Sequence, residues 1–346
     1  MPSLHIKLPE NEVGSFKHEL ISLIVQGKMD ELRFILESSK WKTSHPSVNK
    51  IHNAMFSDTA PRLPKRTTWD RSIEHAKQSK GGWALSIMQN FLSDNEKNTI
   101  RQLAINQKST VACIGSCFAS NIARRLIALG VNNTFTLRLE EAVATPLLVQ
   151  TYLDSASLPS NQIPQWAERF SIHPTTVPSI LKSASLLILT FGVGYDLVDK
   201  NGNLVISTTN IAENIQKGEW RFELKSPESH AMHIEKCVQI AREINPALVI
   251  VVTLSPVPLS GMYGEKHVFY ANTLSKCSLA LAINHAKSRC DFVYLPSFEL
   301  VVFFSAMLRN GLPVWGADGT TRHPADDVVH DICSDFLTLA GFDNQR

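Results

Sequence analysis

The sequence predicts a doubly wound α/β fold, a mainly parallel sheet covered by helices on both faces. Four short runs, VACIG (111–115), SLLILTF (185–191), LVIVVTL (248–254) and DFVYL (291–295), are largely apolar rather than alternating, as strands buried on both faces are. Between them stand stretches whose apolar residues recur at helical spacing, so strand and helix alternate along the chain. In such sheets ligands bind beyond the carboxyl ends of the strands. Those ends are Gly115-Ser116, Phe191-Gly192, Ser255-Pro256 and Pro296-Ser297.

Taken in order, the chain begins with a different texture. Over 13–36, Phe16, Leu20, Leu23 and Ile24, then Met29, Leu32, Ile35 and Leu36, mark two short helices broken at Gln26-Gly27-Lys28. Periodicity fades over 38–82, where Pro46, Pro61 and Pro64 indicate irregular chain, and a further helix follows over 83–92. Residues 1–100 therefore read as a helical N-terminal extension with an irregular linker, and 101–346 as the α/β domain. Behind the first strand, Phe118, Ile122, Leu126 and Leu129 share the apolar face of a helix over 120–129. A helix over 227–244 has Ser226 as its cap and Pro227 at its first position, and another spans 271–288. The last is marked by Val328, Val329, Ile332, Phe336 and Leu339, with Asp326 and Asp327 placed favourably against its dipole.

Composition narrows the function. With 44% hydrophobic residues among 346, the chain can bury a sizeable core. A net charge of +2 gives no electrostatic footprint for nucleic acid. No run approaches the length of a membrane span, and the first residues lack the basic and apolar regions of a secretory signal. Six cysteines without C-x-x-C spacing argue against a zinc site or a disulfide framework and make a cytoplasmic location the expectation. No cofactor or metal is expected. GVG at 192–194 lacks a third glycine and a following Walker lysine, and His230 and His233 share a helical face without a third ligand.

Ser116 stands where the first strand gives way to a helix. A hydroxyl there is exposed above the sheet, beside helix N–H groups able to hold an oxyanion. The plainer reading is a small residue in a crowded turn. The turn is not the G-x-S-x-G elbow, since Phe118 stands where a glycine would be. Cys117 is a second nucleophile by residue type. A serine needs a general base, and His323, before Pro324 at the entrance of the last helix, is placed to serve, with Asp318 able to orient its imidazole. The plainer reading of His323 is a solvated loop residue. His330 competes, paired with Asp327 on one helical face. Asp196 in GVGYD follows the second strand toward the same cleft, where Gly192 and Gly194 leave backbone N–H groups accessible.

The block GSCFA at 115–119 resembles the one that names the GSCFA family, a branch related to SGNH/GDSL-like hydrolases. TLSPVPL (253–259), YANTLSK (270–276), YLPSFELV (294–301) and the late His323-Pro324 are similar to further family blocks, in the same order. The resemblance implies a flavodoxin-like three-layer α/β/α sandwich, a nucleophile at Ser116 and a catalytic histidine at His323. It implies a serine-dependent esterase or O-acyltransferase on carbohydrate-like or other small esters, with acetyl the expected acyl group and an acyl donor as a further partner. Two departures stand out. Asp318 precedes the histidine at a longer spacing than the usual Asp-x-x-His, and FGVGYD lacks the asparagine of the usual Gly-x-Asn block. The oxyanion hole then falls to backbone groups at Ser116, Cys117 and Gly192, or to Asn272. The alternative is a sandwich that has lost efficient chemistry and recruits a partner through its N-terminal helices.

Overall fold

The computed structural model describes residues 69–78, 82–139, 144–207, 209–263, 267–308, 314–316, 319 and 321–342. The chain divides into compact units at Thr68/Trp69, and all described residues belong to the second. The two helices expected over 13–36 lie outside the described residues, as does Asp318.

Helices α1 (Trp69–Gln78), α2 (Trp83–Phe91) and α3 (Asp94–Gln102) lead to β1 (Thr110–Gly115), α4 (Cys117–Ala128) and β2 (Asn133–Arg138). Helices α5 (Pro146–Ser155) and α6 (Val177–Ser183) precede β3 (Leu186–Phe191). An antiparallel hairpin, β4 (Tyr195–Asp199) and β5 (Trp220–Leu224), encloses α7 (Ile211–Gln216). Then come α8 (Pro227–Ile244), β6 (Val249–Leu254), α9 (Val268–Lys287), β7 (Val293–Tyr294) and, last, α10 (Asp326–Leu339).

The main sheet has the order β2-β1-β3-β6-β7 and every pairing in it is parallel. The chain winds outward from β1 in both directions, so the topological switch lies between β1 and β3. Side chains alternate across the sheet as strand geometry requires. Ala112, Ile114, Leu187, Leu189, Ile250 and Val252 face one core layer, with residues of α5, α6, α8 and α9. Val111, Cys113, Leu186, Ile188 and Val251 face the other, with α2, α4 and α10. This is the three-layer α/β/α sandwich the sequence leads one to expect. Three of the four expected strands keep their bounds within a residue, while the last contracts to Val293–Tyr294.

The sequence reading passed over β2, an edge strand in which Leu137 is the one buried residue of NTFTLR. It also passed over α3, where Ile100 alone is buried and a Ser93–Glu96 capping box sets the start. Helix α2, grouped by sequence with the extension, packs into the core through Ala84, Leu85, Ile87 and Met88. Its first turn carries orphan N–H groups, and Asp335 of α10 accepts from the Leu85 N–H at 2.8 Å, while Trp83 Nε1 donates to Asp331 at 3.1 Å. A carboxylate from one helix thus caps the N-terminus of another.

Burial pushes the Asp335 carboxyl up to about 6 from its ordinary 3.8, with Asp331 adding to the rise and the Leu85 N–H opposing it. Between these values the folded chain holds more protons than the unfolded one. The stability from this group is therefore complete below about pH 4 and is lost as pH rises through about 6. Urea unfolding from pH 4 to 7.5 is expected to show Asp335 contributing a fall of roughly 2–3 kcal/mol. In Asp335→Asn that part of the fall is absent; an unchanged pH profile contradicts it.

Candidate active site

The site is built at the switch point, where β1 and β3 end side by side with Gly115 opposite Thr190. Gly115 has φ +132°, and a Cβ there would fall 2.1 Å from the Thr190 carbonyl oxygen. Only glycine permits this approach. It delivers Ser116 to the N-cap of α4, where a serine ordinarily turns its oxygen onto the helix's own N–H groups. Ser116 makes no such cap. Its Oγ lies 3.0 Å from Thr190 Oγ1, and its N–H donates to Thr190 Oγ1 at 3.0 Å and the Thr190 carbonyl at 3.2 Å. The hydroxyl is thereby turned from its helix toward β3. Ser116 is 3% exposed.

Gly192 closes the other side. A Cβ at 192 would lie 3.3 Å from Ser116 Cβ and from Ser255 Cβ, and 3.6 Å from Ser116 Oγ. Ser116, Gly192 and Ser255 thus meet at one corner, one from each of three adjacent strand ends. Beneath it is Lys276 of α9, a residue the sequence reading did not single out. Its Nζ donates to the carbonyls of Gly192 (2.8 Å), Ser255 (2.9 Å) and Val257 (2.8 Å). An ammonium has three donors, and these three carbonyls match them. Since a trans peptide directs its C=O and N–H oppositely, holding the Gly192 carbonyl points the Val193 N–H away from Lys276. The signal was present in the sequence: Lys276 lies on the stripe of α9 that buries Ala271, Ser275, Leu279 and Ala282.

His323 sits half-buried in the loop before α10. Its carbonyl accepts from the Gly316 N–H at 2.8 Å, Ala325 N–H donates to Val314, and Trp315 pairs with Pro324. Its neighbour Arg322 reaches Pro258 with Nε and Nη2 both on that carbonyl, at 3.4 and 3.1 Å. The histidine loop is thus tied to the chain leaving β6, the same segment whose Ser255 abuts Gly192. Behind it, Asp326 of α10 pairs with Arg125 of α4, the helix that Ser116 opens. His330 lies within α10 itself, half-buried.

Several expected donors are already engaged. The Ser116 N–H serves Thr190, and the Gly194 N–H donates to Ser275 Oγ at 2.8 Å, so neither backbone group faces a substrate. Asn272 accepts from the Leu259 N–H through Oδ1 at 3.1 Å, fixing the loop after β6. Cys117 is 5% exposed and packs with Phe118 and Cys113 in the core layer against α10. Cys117 is the first residue of α4. Asp196 does not face the cleft: it is fully buried, and its electrostatic neighbours are His230 and His233 of α8. Burial holds both imidazoles below their ordinary range, against the pull of Asp196 and, for His230, of the Gly194 carbonyl at 3.1 Å. Among the described residues no group of three His, Cys, Asp or Glu side chains could hold a metal ion, and no helix is long and apolar enough to cross a membrane.

Replacing Lys276 by Met orphans three carbonyls while keeping the aliphatic stem. The expected loss is about 3–5 kcal/mol in urea unfolding. A loss below about 1 kcal/mol would show that Lys276 does not hold the corner together.

No match is found among curated proteins. Among solved structures, 69% of this chain is similar to 98% of a Parabacteroides merdae chain described as a GDSL-like lipase, at 9% identity and a TM-score of 0.35. Residues 154–336 match the GSCFA family model. That span takes in β3, β6, Asn272, Lys276 and His323 and begins after the GSCFA block at 115–119. It covers just over half of the 346 residues, and the chain belongs to the GSCFA family.

Proposed function

We propose that the protein is a serine-dependent carboxylic ester hydrolase or O-acyltransferase acting on esters of a carbohydrate-like or other small alcohol. The observation that carries this reading is the orientation of Ser116. At the switch point of a parallel sheet, an N-cap serine leaves its helix uncapped and turns its hydroxyl toward the neighbouring strand end. A helix N-terminus with no side-chain cap from its own serine is suited to a developing oxyanion.

In this reading Ser116 Oγ attacks the acyl carbonyl as His323 takes its proton. The N–H groups of Cys117 and Gly192 receive the oxyanion, and Asn272, whose Oδ1 serves Leu259, can add only its amide N–H. His323 then protonates the departing alkoxide. Water or an acceptor hydroxyl, deprotonated by the same imidazole, attacks the acyl-enzyme and releases Ser116. Asp318 is assigned the orientation of His323. Hydrolysis and transfer differ in whether the site admits water or holds an acceptor alcohol in its place.

A second reading has a specific observation behind it. Ser116 is nearly buried and its hydroxyl is paired with Thr190, an arrangement that also suits a binding protein built on the same sandwich.

Hydrolysis of p-nitrophenyl esters by single variants separates the two. Ser116→Ala is expected to lower kcat by about 10³-fold or more, and Cys117→Ala by less than about tenfold. His323→Ala should lose about 10²–10⁴-fold, and His330→Ala only a few fold. Full activity in Ser116→Ala ends the proposal, and equal losses at the two histidines remove His323 as the base. Absence of turnover in the wild-type protein favours the binding reading.

A further inference from the structure

The chain that runs on from Gly192 of the serine corner enters, at Val193, the wall of a cleft of about 420 Å³. Its walls come from the chain leaving β3, the chain leaving β6 and the β4–β5 hairpin, which stands outside the main sheet. Val193, next to Gly192, lines it, and so does Leu259, on the loop that begins at Ser255 and is held by Asn272. Ile211, Phe222 and Tyr263 supply further apolar surface, the two rings lying nearly parallel at 4° with centroids 6.2 Å apart. Tyr195 lines the cleft while 2% exposed, and its Oη is buried with no hydrogen-bond partner among the described residues.

We infer that this cleft receives the acyl group of the substrate, and that this group is apolar and several carbons longer than acetyl. The inference rests on the ester-cleaving reading of Ser116. Position comes first: the cleft starts one residue from Gly192, whose Cα packs against the Ser116 side chain.

Lining chemistry comes second. A sugar ring would bring several hydroxyls, each costing about 1–3 kcal/mol if buried unpaired. Among the lining side chains, the apolar Val193, Ile211, Phe222, Leu259 and Met262 outnumber those of Ser260 and Tyr263, which bring hydroxyls. An apolar chain suits this lining better.

Size comes third. At about 30 Å³ per water, an acetyl group with three heavy atoms takes the room of only a few waters. It would leave most of the 420 Å³ unfilled.

The test compares kcat/KM for p-nitrophenyl acetate, hexanoate and octanoate in the wild-type protein and in Gly261→Phe. Gly261 lines the cleft, and a Cβ at that position meets nothing within 4 Å, so the variant adds a bulky ring to the cleft wall without straining the fold. Each buried methylene is expected to raise kcat/KM by about fourfold until the cleft is full. The octanoate-to-acetate ratio should exceed about 50 and fall at least tenfold in Gly261→Phe. Binding of free octanoate to the Ser116→Ala protein, measured by calorimetry, gives a readout independent of catalysis. Acetate turned over as fast as octanoate, with no octanoate bound, overturns the inference and leaves the esterase reading standing. Octanoate bound in the cleft with no ester hydrolysed supports the apolar cleft and overturns the esterase reading. Neither binding nor turnover overturns both.

Discussion

The arrangement depends on how closely β1 approaches β3 at their carboxyl ends. With no side chain at Gly115, the chain passes against the Thr190 carbonyl, and the next residue falls within reach of the Thr190 hydroxyl. Any other residue at 115 would meet a backbone oxygen that cannot retreat without unpairing β3. The switch point of the sheet and the local chemistry therefore share one cause. The connections diverge there, and the residue that follows β1 is a serine held by the strand opposite rather than by its own helix.

Charge then holds the far wall. Loops that leave β3 and β6 would present carbonyls to a dry interior, where each unpaired group is costly. Lys276 collects three of them at one ammonium. Ser275, beside it on α9, takes the Gly194 N–H, and Asn272, one turn earlier, takes the Leu259 N–H. One helix thus orders both loops from below, and the YANTLSK block reads physically as a scaffold for the site. The histidine loop is attached to this scaffold through Arg322 and Pro258. A shift in the loop after β6 would consequently move both the Gly192 wall and the His323 loop.

Legibility in the sequence followed burial. Strands covered on both faces announce themselves as apolar runs, so β1, β3 and β6 were readable nearly to the residue. Edge strand β2 carries polar residues on its exposed positions, and β4 and β5 are five-residue strands that mix Asp, Arg and Glu with their apolar residues, so none of the three gave an apolar run to read. Ser116 and His323 were singled out by residue type and by their place at strand and helix ends. Thr190 and Lys276 were not, because inside a strand or an amphipathic helix they resemble ordinary filler until the fold shows what they face. Asp196 was misplaced for a related reason. Strand alternation turns Tyr195 toward the cleft and Asp196 toward α8, and a short hairpin outside the main sheet gives no long pattern from which to read its faces.

The central claim is that Ser116 is a nucleophile rather than a small residue in a tight turn. Incubation with a fluorophosphonate probe, followed by mass-spectrometric mapping of the modified peptide, tests it most directly. The account predicts a single phosphonylated residue, Ser116, with labelling suppressed in His323→Ala. Modification at a different residue, or no modification of the folded protein, would contradict it.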